Sequence, residues 1–230
     1  MNIIIVRHGE TMNNLPGSAF HTVDPDLNAC GLRQARLLGE RCAGMKIDAL
    51  LASPLLRALR TVNGISIRRK NQPVRILHEL VEIGTDYATL THAEALEVCP
   101  AALPYEDAPG AGDCGDAYGL EIRDPYYVLS RAYRVISRIR QTFPENANVL
   151  LVAHGAFNSR LVAAGLRCSF PPNFIFSQEN TGMSVVNYRP GNDGKEVTRL
   201  IMMNDTSHLY GTDAGGSPAL GEGGLSSFLS

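Results

Sequence analysis

The chain has 230 residues, of which 44% are hydrophobic, and its formal net charge is −2 at pH 7. These values fit one globular domain with a large core. They exclude a disordered chain and a protein that binds nucleic acid through a basic surface. No apolar run approaches the ~20 residues that a membrane-spanning helix needs.

The cysteines and the first residues bear on the compartment. The five cysteines form no CxxC pair, and no basic leader precedes a hydrophobic segment. An odd number of cysteines without such spacing favours free thiols in a reducing environment. We therefore expect a soluble cytoplasmic protein with no membrane or nucleic-acid partner, and we leave a homodimer open.

In chain order, strand-like runs alternate with helical stripes. This pattern predicts an α/β fold, three-layer α/β/α, around a mostly parallel sheet. The predicted strands are residues 3–6, 47–52, 74–77, 149–153, 184–188 and 197–203. One predicted helix begins at residue 29, and the other three cover residues 55–69, 127–141 and 156–166. The turn sequence at 190–194 predicts a hairpin, so the last strand should be an edge strand antiparallel to its neighbour.

Two of these helices allow predictions about individual side chains. Asn28 should cap the first helix, and its buried stripe is predicted at Leu32, Ala35, Leu38 and Cys42. The helix near 127–141 has its own apolar stripe, formed by Val128, Ala132, Val135 and Ile139. Its four arginines are predicted to form a solvated face: Arg131, Arg134, Arg138 and Arg140.

The first predicted strand is followed directly by Arg7, His8 and Gly9. In an open α/β sheet, ligands bind just beyond the carboxyl ends of the strands, so Arg7 and His8 should reach the site. Gly9 allows the backbone to turn sharply. A guanidinium group binds phosphate oxygens through two bonds, and a neutral imidazole can attack phosphorus. The motif therefore predicts phosphate chemistry.

Two further strand ends carry related groups. The strand at 149–153 is followed by His154 and Gly155, and the strand at 47–52 is followed by Ser53 and a helix that carries Arg57. Taken singly, each of these groups is most simply a surface or capping residue. Together, the three strand ends indicate one site.

These segments resemble those of the histidine phosphatase superfamily, which contains cofactor-dependent phosphoglycerate mutases and broad-specificity phosphatases. The similarity runs from residue 2 to about residue 210 and is weakest over 86–126. The segments that match are 7–11 with Asn14, 26–31, 53–58, 154–155, 179–182 and 204–209. The resemblance implies a single phosphoglycerate mutase-like domain over 1–210, with a lid or specificity insertion at 84–126. The tail, 211–230, is rich in glycine and serine and is predicted to be flexible.

The resemblance, together with the residue types, implies catalytic roles. His8 would be the nucleophile and would form a phosphohistidine. Arg7, Arg57 and His154 would bind the phosphoryl oxygens and neutralise their charge. His154 has an alternative role as an acid–base group or a metal ligand. No metal and no cofactor are expected, because no second ligand lies at metal-binding spacing from His154.

The proton donor has two candidates. Counted forward from Pro73, the Leu-x-Glu of the family falls on Leu80, Val81 and Glu82, but residues 77–79 also have this pattern and end at Glu79. We predict Glu82 as the donor and keep Glu79 as the alternative. For either glutamate, the simplest other interpretation is a solvated surface residue.

Several neighbouring residues are predicted to support the site. Glu10 should be structural, through an arginine or backbone amides, and His208 should support the fold. Asn14, Gly155 and Asn180 are predicted to bind phosphate or substrate, although loop capping accounts for Asn14 almost equally well.

The segment from Gly84 to Asp124 should govern substrate choice. It contains nine acidic residues, one arginine (Arg123) and no lysine. It would compensate a highly anionic substrate poorly. We therefore predict a phosphomonoesterase for a small molecule with a neutral or weakly charged body. The alternatives are a phosphoglycerate mutase-type phosphotransferase and a non-catalytic phosphate-binding protein. Five residues could supply apolar or stacking contacts: Tyr87, Leu90, Leu103, Tyr105 and Tyr118.

Overall fold

The computed structural model describes residues 1–15, 17, 22–83, 89–105, 124–169, 173 and 175–215. Its strands are β1 (Asn2–Arg7), β2 (Ala49–Ala52), β3 (Val74–Ile76), β4 (Asn148–Ala153), β5 (Met183–Pro190) and β6 (Glu196–Asp205). Its α-helices are α1 (Ala29–Ala43), α2 (Leu56–Arg68), α3 (His92–Val98), α4 (Pro125–Thr142) and α5 (Gly155–Gly165). Short 3-10 helices cover Met12–Asn14, His78–Leu80 and Ser207–Leu209.

The strands form one sheet with the order β3-β2-β4-β1-β5-β6. The pairs β3–β2, β2–β4 and β4–β1 are parallel, whereas β5 is antiparallel to both β1 and β6. The predicted mostly parallel sheet is therefore confirmed, and so is the prediction that the last strand lies at the edge, antiparallel to its neighbour.

Hydrophobic cores lie on both faces of the sheet. One contains the apolar side chains of α4 and α5, and the other contains those of α1, α2 and α3. Strands β1 and β4 contribute alternate residues to the two cores, which is why their sequences are apolar almost throughout. This arrangement confirms the predicted three layers.

The strand order also determines where the candidate site forms. Strands β2, β4 and β1 are neighbours with the same direction, so their carboxyl ends meet at one edge of the sheet. The residues that follow these ends are Ser53, His154 and His8. The three strand ends that were predicted to share a site are thus adjacent.

Two predictions about helix faces are wrong. Leu32 is 51% exposed, because the buried face of α1 is centred on Gly31, Ala35 and Leu38. A Cβ on Gly31 would lie 2.1 Å from the carbonyl oxygen of Glu10, so the backbone of α1 contacts the backbone of Glu10 at this position. The buried face of the helix therefore begins at a glycine and not at Leu32. Arg131, which was predicted to be solvated, is 1% exposed.

Helix α3 was not predicted, although Thr91 and Glu94 form a capping box at its start. Of the lid proposed at 84–126, residues 84–88 and 106–123 lie outside the described residues, as do 216–230 of the proposed tail. Ala214 is buried, and its carbonyl oxygen accepts a hydrogen bond from the Gln34 side chain. Within the described residues, no helix is both long enough and apolar enough to cross a membrane.

Candidate active site

His8 lies directly beyond β1 and is 4% exposed. Its Nδ1 lies 2.7 Å from the carbonyl oxygen of Gly9. A carbonyl can only accept, so Nδ1 carries the proton and the lone pair of the ring is on Nε2. Burial, followed by the charges of Arg57 and Arg7, lowers the pKa of His8 well below its usual value. The imidazole is therefore neutral near pH 7, as a nucleophile must be.

His154 follows β4 and is fully buried, with its ring centroid 5.3 Å from that of His8. Its Nε2 lies 2.8 Å from the hydroxyl oxygen of Ser53, whereas Nδ1 has no hydrogen-bond partner among the described residues. Burial, and then the charge of Arg57, lowers the pKa of His154. A neutral ring that accepts from Ser53 would present Nδ1–H as a free donor beside His8.

Two arginines place positive charge next to these rings. Arg7 donates from one Nη to the carbonyl oxygen of Gln178 at 2.7 Å, and its buried Nε has no partner among the described residues. Arg57, on the first turn of α2, is 6% exposed and donates to Asp24 at 2.9 Å. Both arginines lower the pKa of His8, so their charges act at the imidazole.

Two glycines lie where backbone and side chains approach each other closely. A Cβ on Gly9 would lie 2.8 Å from the carbonyl oxygen of Gly31, so any side chain there would push α1 away from the site. A Cβ on Gly155 would lie 3.2 Å from Nε of Arg7. Gly155 begins α5, and its small size lets the Arg7 guanidinium lie against the start of that helix.

The two candidate proton donors have different surroundings. The Glu82 carboxylate accepts from the backbone N–H groups of Ile83 and Phe157, each at 3.0 Å, and from Ala156 at 3.4 Å. It therefore lies at the start of α5, next to His154. Its charge also acts on Arg7, because it opposes the lowering of the Arg7 pKa that burial causes.

Glu79 points to a different surface. Its carboxylate pairs with Arg134 at 3.0 Å and with Arg138 at 3.8 Å, on α4. The Arg134 side chain is 51% exposed, so this is a surface ion-pair cluster. Of the two glutamates, Glu82 is the one at the start of α5, the helix that His154 precedes.

Asn14 and Asn180 meet beside the backbone of His8. The Asn180 amide nitrogen donates to the carbonyl oxygen of His8 at 3.0 Å and to the side-chain oxygen of Asn14 at 3.3 Å. The backbone N–H of Thr11 also donates to that Asn14 oxygen, at 3.0 Å. Both N–H groups of Asn180 are thus bound to protein atoms, which suits a support for His8.

Glu10 and His208 contact structural partners. Glu10 accepts from the side-chain amide of Asn28 at 2.8 Å, and Asn28 also caps α1. His208 lies between Arg41 at 3.3 Å and the Thr181 hydroxyl at 3.0 Å, and burial lowers its pKa to about 4. Thr181 in turn donates its backbone N–H to the Arg7 carbonyl.

Several residues of the site were missed in the sequence. Asp24 orients Arg57 and also accepts from the backbone N–H of Leu56 at 2.8 Å, and burial raises the pKa of its carboxyl. Ser53, which was predicted only as the residue that follows a strand, binds His154, and Gln178, which was not predicted, binds Arg7. The sequence signal for Asp24 was weak, because it is one of two closely spaced aspartates in a proline-containing loop.

Comparison with known proteins identifies the family of the chain. The family model of the histidine phosphatase superfamily (branch 1) matches residues 3–201, and the chain belongs to that family. The uncharacterized phosphatase PhoE of Bacillus subtilis (strain 168) is 30% identical over 154 residues, which cover 67% of this chain and 72% of the relative. The adenosylcobalamin/alpha-ribazole phosphatase of Escherichia coli (strain K12) is 29% identical over 168 residues, or 71% of this chain and 78% of that protein.

A solved structure supports the fold. The crystal structure of phosphoserine phosphatase from Entamoeba histolytica in complex with 3-phosphoglyceric acid superposes with a TM-score of 0.63 at 24% identity. The match covers 90% of this chain and 98% of that one. The family and its phosphatase members together support a phosphatase activity for this chain.

Proposed function

We propose that the chain is a phosphomonoester hydrolase that acts through a phosphohistidine on His8. The observation that carries this proposal is the hydrogen bond from Nδ1 of His8 to the Gly9 carbonyl, because it leaves the Nε2 lone pair free. That lone pair belongs to a neutral, buried ring surrounded by Arg7, Arg57 and His154.

In the first half of the reaction, Nε2 of His8 attacks phosphorus in line with the leaving oxygen. The N–P bond forms as the P–O bond breaks, and the leaving oxygen takes a proton from Glu82. In the second half, water attacks the phosphohistidine and gives its proton back to Glu82. The new O–P bond forms as the N–P bond breaks, so inorganic phosphate is released and neutral His8 is regenerated.

The charge of the phosphoryl group is compensated by groups that are already oriented. Among the described residues, no group pairs with the buried Nε–H of Arg7 or with the buried Nδ1 of His154, which would carry a proton when Ser53 donates to Nε2. Arg57 is held by Asp24 at the same strand ends. Such preorganised donors are worth about 3–4 kcal/mol each when they are removed from other enzymes.

The position of Glu82 suits transient proton donation. Once the proton has left, the carboxylate accepts three backbone N–H groups, two of them from the first turn of α5. The N-terminus of a helix stabilises negative charge. These N–H groups therefore hold the carboxylate in place between donating its proton and taking one back from water.

We propose a small-molecule phosphomonoester with a neutral or weakly charged body as the substrate. The acidic composition of 84–124 supports this, because it would compensate a highly anionic body poorly. We also propose that turnover needs no metal and that the protein is cytoplasmic, and a homodimer stays open. The alternatives are a mutase-type phosphotransferase and a non-catalytic phosphate-binding protein.

One experiment separates these functions. A panel of phosphomonoesters is incubated with the protein and with His8→Ala, without added metal, and the released phosphate is measured. Release by the wild type alone supports the proposal, whereas no release from any substrate supports the non-catalytic alternative. Interconversion of 2- and 3-phosphoglycerate that depends on bisphosphoglycerate would support the mutase.

A further inference from the structure

Arg131 is a buried arginine that has no part in the chemistry described so far. It lies on α4 and is 1% exposed. One of its Nη groups donates to the carbonyl oxygen of Glu79 at 3.0 Å and to that of Val81 at 2.9 Å. The guanidinium carbon lies 3.8 Å from the centroid of the Phe157 ring, within the range of a cation–π contact.

The hydrogen bonds to the backbone carbonyls and the contact with the Phe157 ring both involve neighbours of Glu82. Val81 precedes Glu82 in the chain, so the bond to its carbonyl fixes the backbone from which the carboxyl extends. Phe157 binds the carboxyl itself, because its backbone N–H donates to Oε1 of Glu82 at 3.0 Å. A single guanidinium therefore contacts the segment that carries Glu82 and the residue that holds its carboxylate.

The contacts require arginine rather than any cation. A guanidinium is planar, so it can stack on a ring while its edge donates to carbonyl groups in fixed directions. Lysine has the charge but not the plane. Hydrogen bonds from a charged donor are also stronger than neutral ones, which suits a group that must hold a loop in place.

We propose that Arg131 is a positioning residue that holds the Glu82 carboxyl against the leaving-group oxygen. This inference rests on the proposed role of Glu82 as the proton donor. A displacement of about 1 Å from the productive geometry can reduce a rate by ~10²-fold. The loss should appear only for leaving groups that need a proton.

The test measures kcat/KM for β-glycerophosphate and for p-nitrophenyl phosphate. The ratio of the two reports proton donation, because the nitrophenolate leaves without a proton. Arg131→Lys should lower this ratio by ~10-fold or more. Phe157→Leu, which removes the ring but keeps the backbone N–H, should also lower this ratio. The matched control is Arg134→Met on the same helix, which removes an exposed partner of Glu79 and should leave the ratio unchanged.

A double mutant tests whether Arg131 acts on the ratio through Glu82. In the Glu82→Gln background, Arg131→Lys should have no further effect on the ratio, because the group that it positions is gone. An unchanged ratio in Arg131→Lys and Phe157→Leu, with only a shifted urea midpoint, would overturn the inference and leave a structural role. An additive loss in the double mutant would overturn it as well. If Glu82→Gln alone left the ratio unchanged, the proposed proton donor would fail, independently of Arg131.

Discussion

Replacing Glu82 with glutamine separates proton donation from structure at one position. Glutamine keeps an oxygen that can accept from the N–H groups of Phe157 or Ile83, but it cannot supply the proton. We expect hydrolysis of alkyl phosphates such as β-glycerophosphate to fall by ~10²–10⁴-fold. Hydrolysis of p-nitrophenyl phosphate should change little, because its leaving group needs no proton.

The contacts of the two glutamates also predict how much each substitution lowers the free energy of unfolding. Loss of the charge at the start of α5 should cost about 0.3–1 kcal/mol. The matched variant is Glu79→Gln, which loses two surface ion pairs worth about 0–1 kcal/mol each. The two variants should thus have similar urea midpoints and very different activities on alkyl phosphates.

The test measures steady-state kinetics on both substrates and urea unfolding for both variants. Selective loss in Glu79→Gln would transfer the role to Glu79 and show that the register counted from Pro73 is wrong. Equal losses on both substrates in Glu82→Gln would refute proton donation by Glu82 and indicate a positioning role.

Three further predictions concern charge and pH. Activity should survive EDTA, because arginines and histidines supply the charge that other phosphatases take from a metal, and loss restored by Mg²⁺ would contradict this. Arg57→Lys should lower kcat/KM by ~10²-fold for all phosphomonoesters alike, and a loss confined to poor leaving groups would exclude Arg57 as a phosphoryl ligand. The lowered pKa values of His8, His154 and His208 mean that the unfolded chain binds more protons below pH 6.5. Unfolding free energy should therefore fall between pH 7 and pH 5, by about 2 kcal/mol from His208 alone, and a flat profile in urea titrations would contradict the neutral, buried rings.

The candidate site was predictable where its residues depend on short-range patterns. His8 and His154 each follow an apolar strand directly, so the alternation of strands and helices places both at the same edge of the sheet. The strand order brings them to ring centroids 5.3 Å apart, a distance that no local pattern could give.

The two glutamates show where the sequence pattern is insufficient. Glu79 and Glu82 both end a Leu-x-Glu triplet, so the pattern alone does not choose between them, and the packing of α4 and α5 gives them different surroundings. Arg134 and Arg138 bind Glu79 at the surface, whereas the first turn of α5 binds Glu82. These partners are more than 50 residues away in the chain.

Arg131 was misassigned although the helical pattern contained a signal. It lies three residues after Val128 and four before Val135, on the buried face of α4. Charge was taken to mean exposure, but carbonyl groups and an aromatic ring compensate this guanidinium in the interior. Asp24 was missed because its partner, Arg57, is brought to it by the tertiary fold.

The most direct test of the account is to trap the covalent intermediate. The protein is mixed briefly with ³²P-labelled substrate and quenched in alkali, in which phosphohistidine is stable, and the labelled peptide is identified. We predict an acid-labile phosphate on His8 and no label in His8→Ala, which should remain folded in urea unfolding experiments. Label on any other residue, or turnover by His8→Ala at the wild-type rate, would contradict the phosphohistidine mechanism.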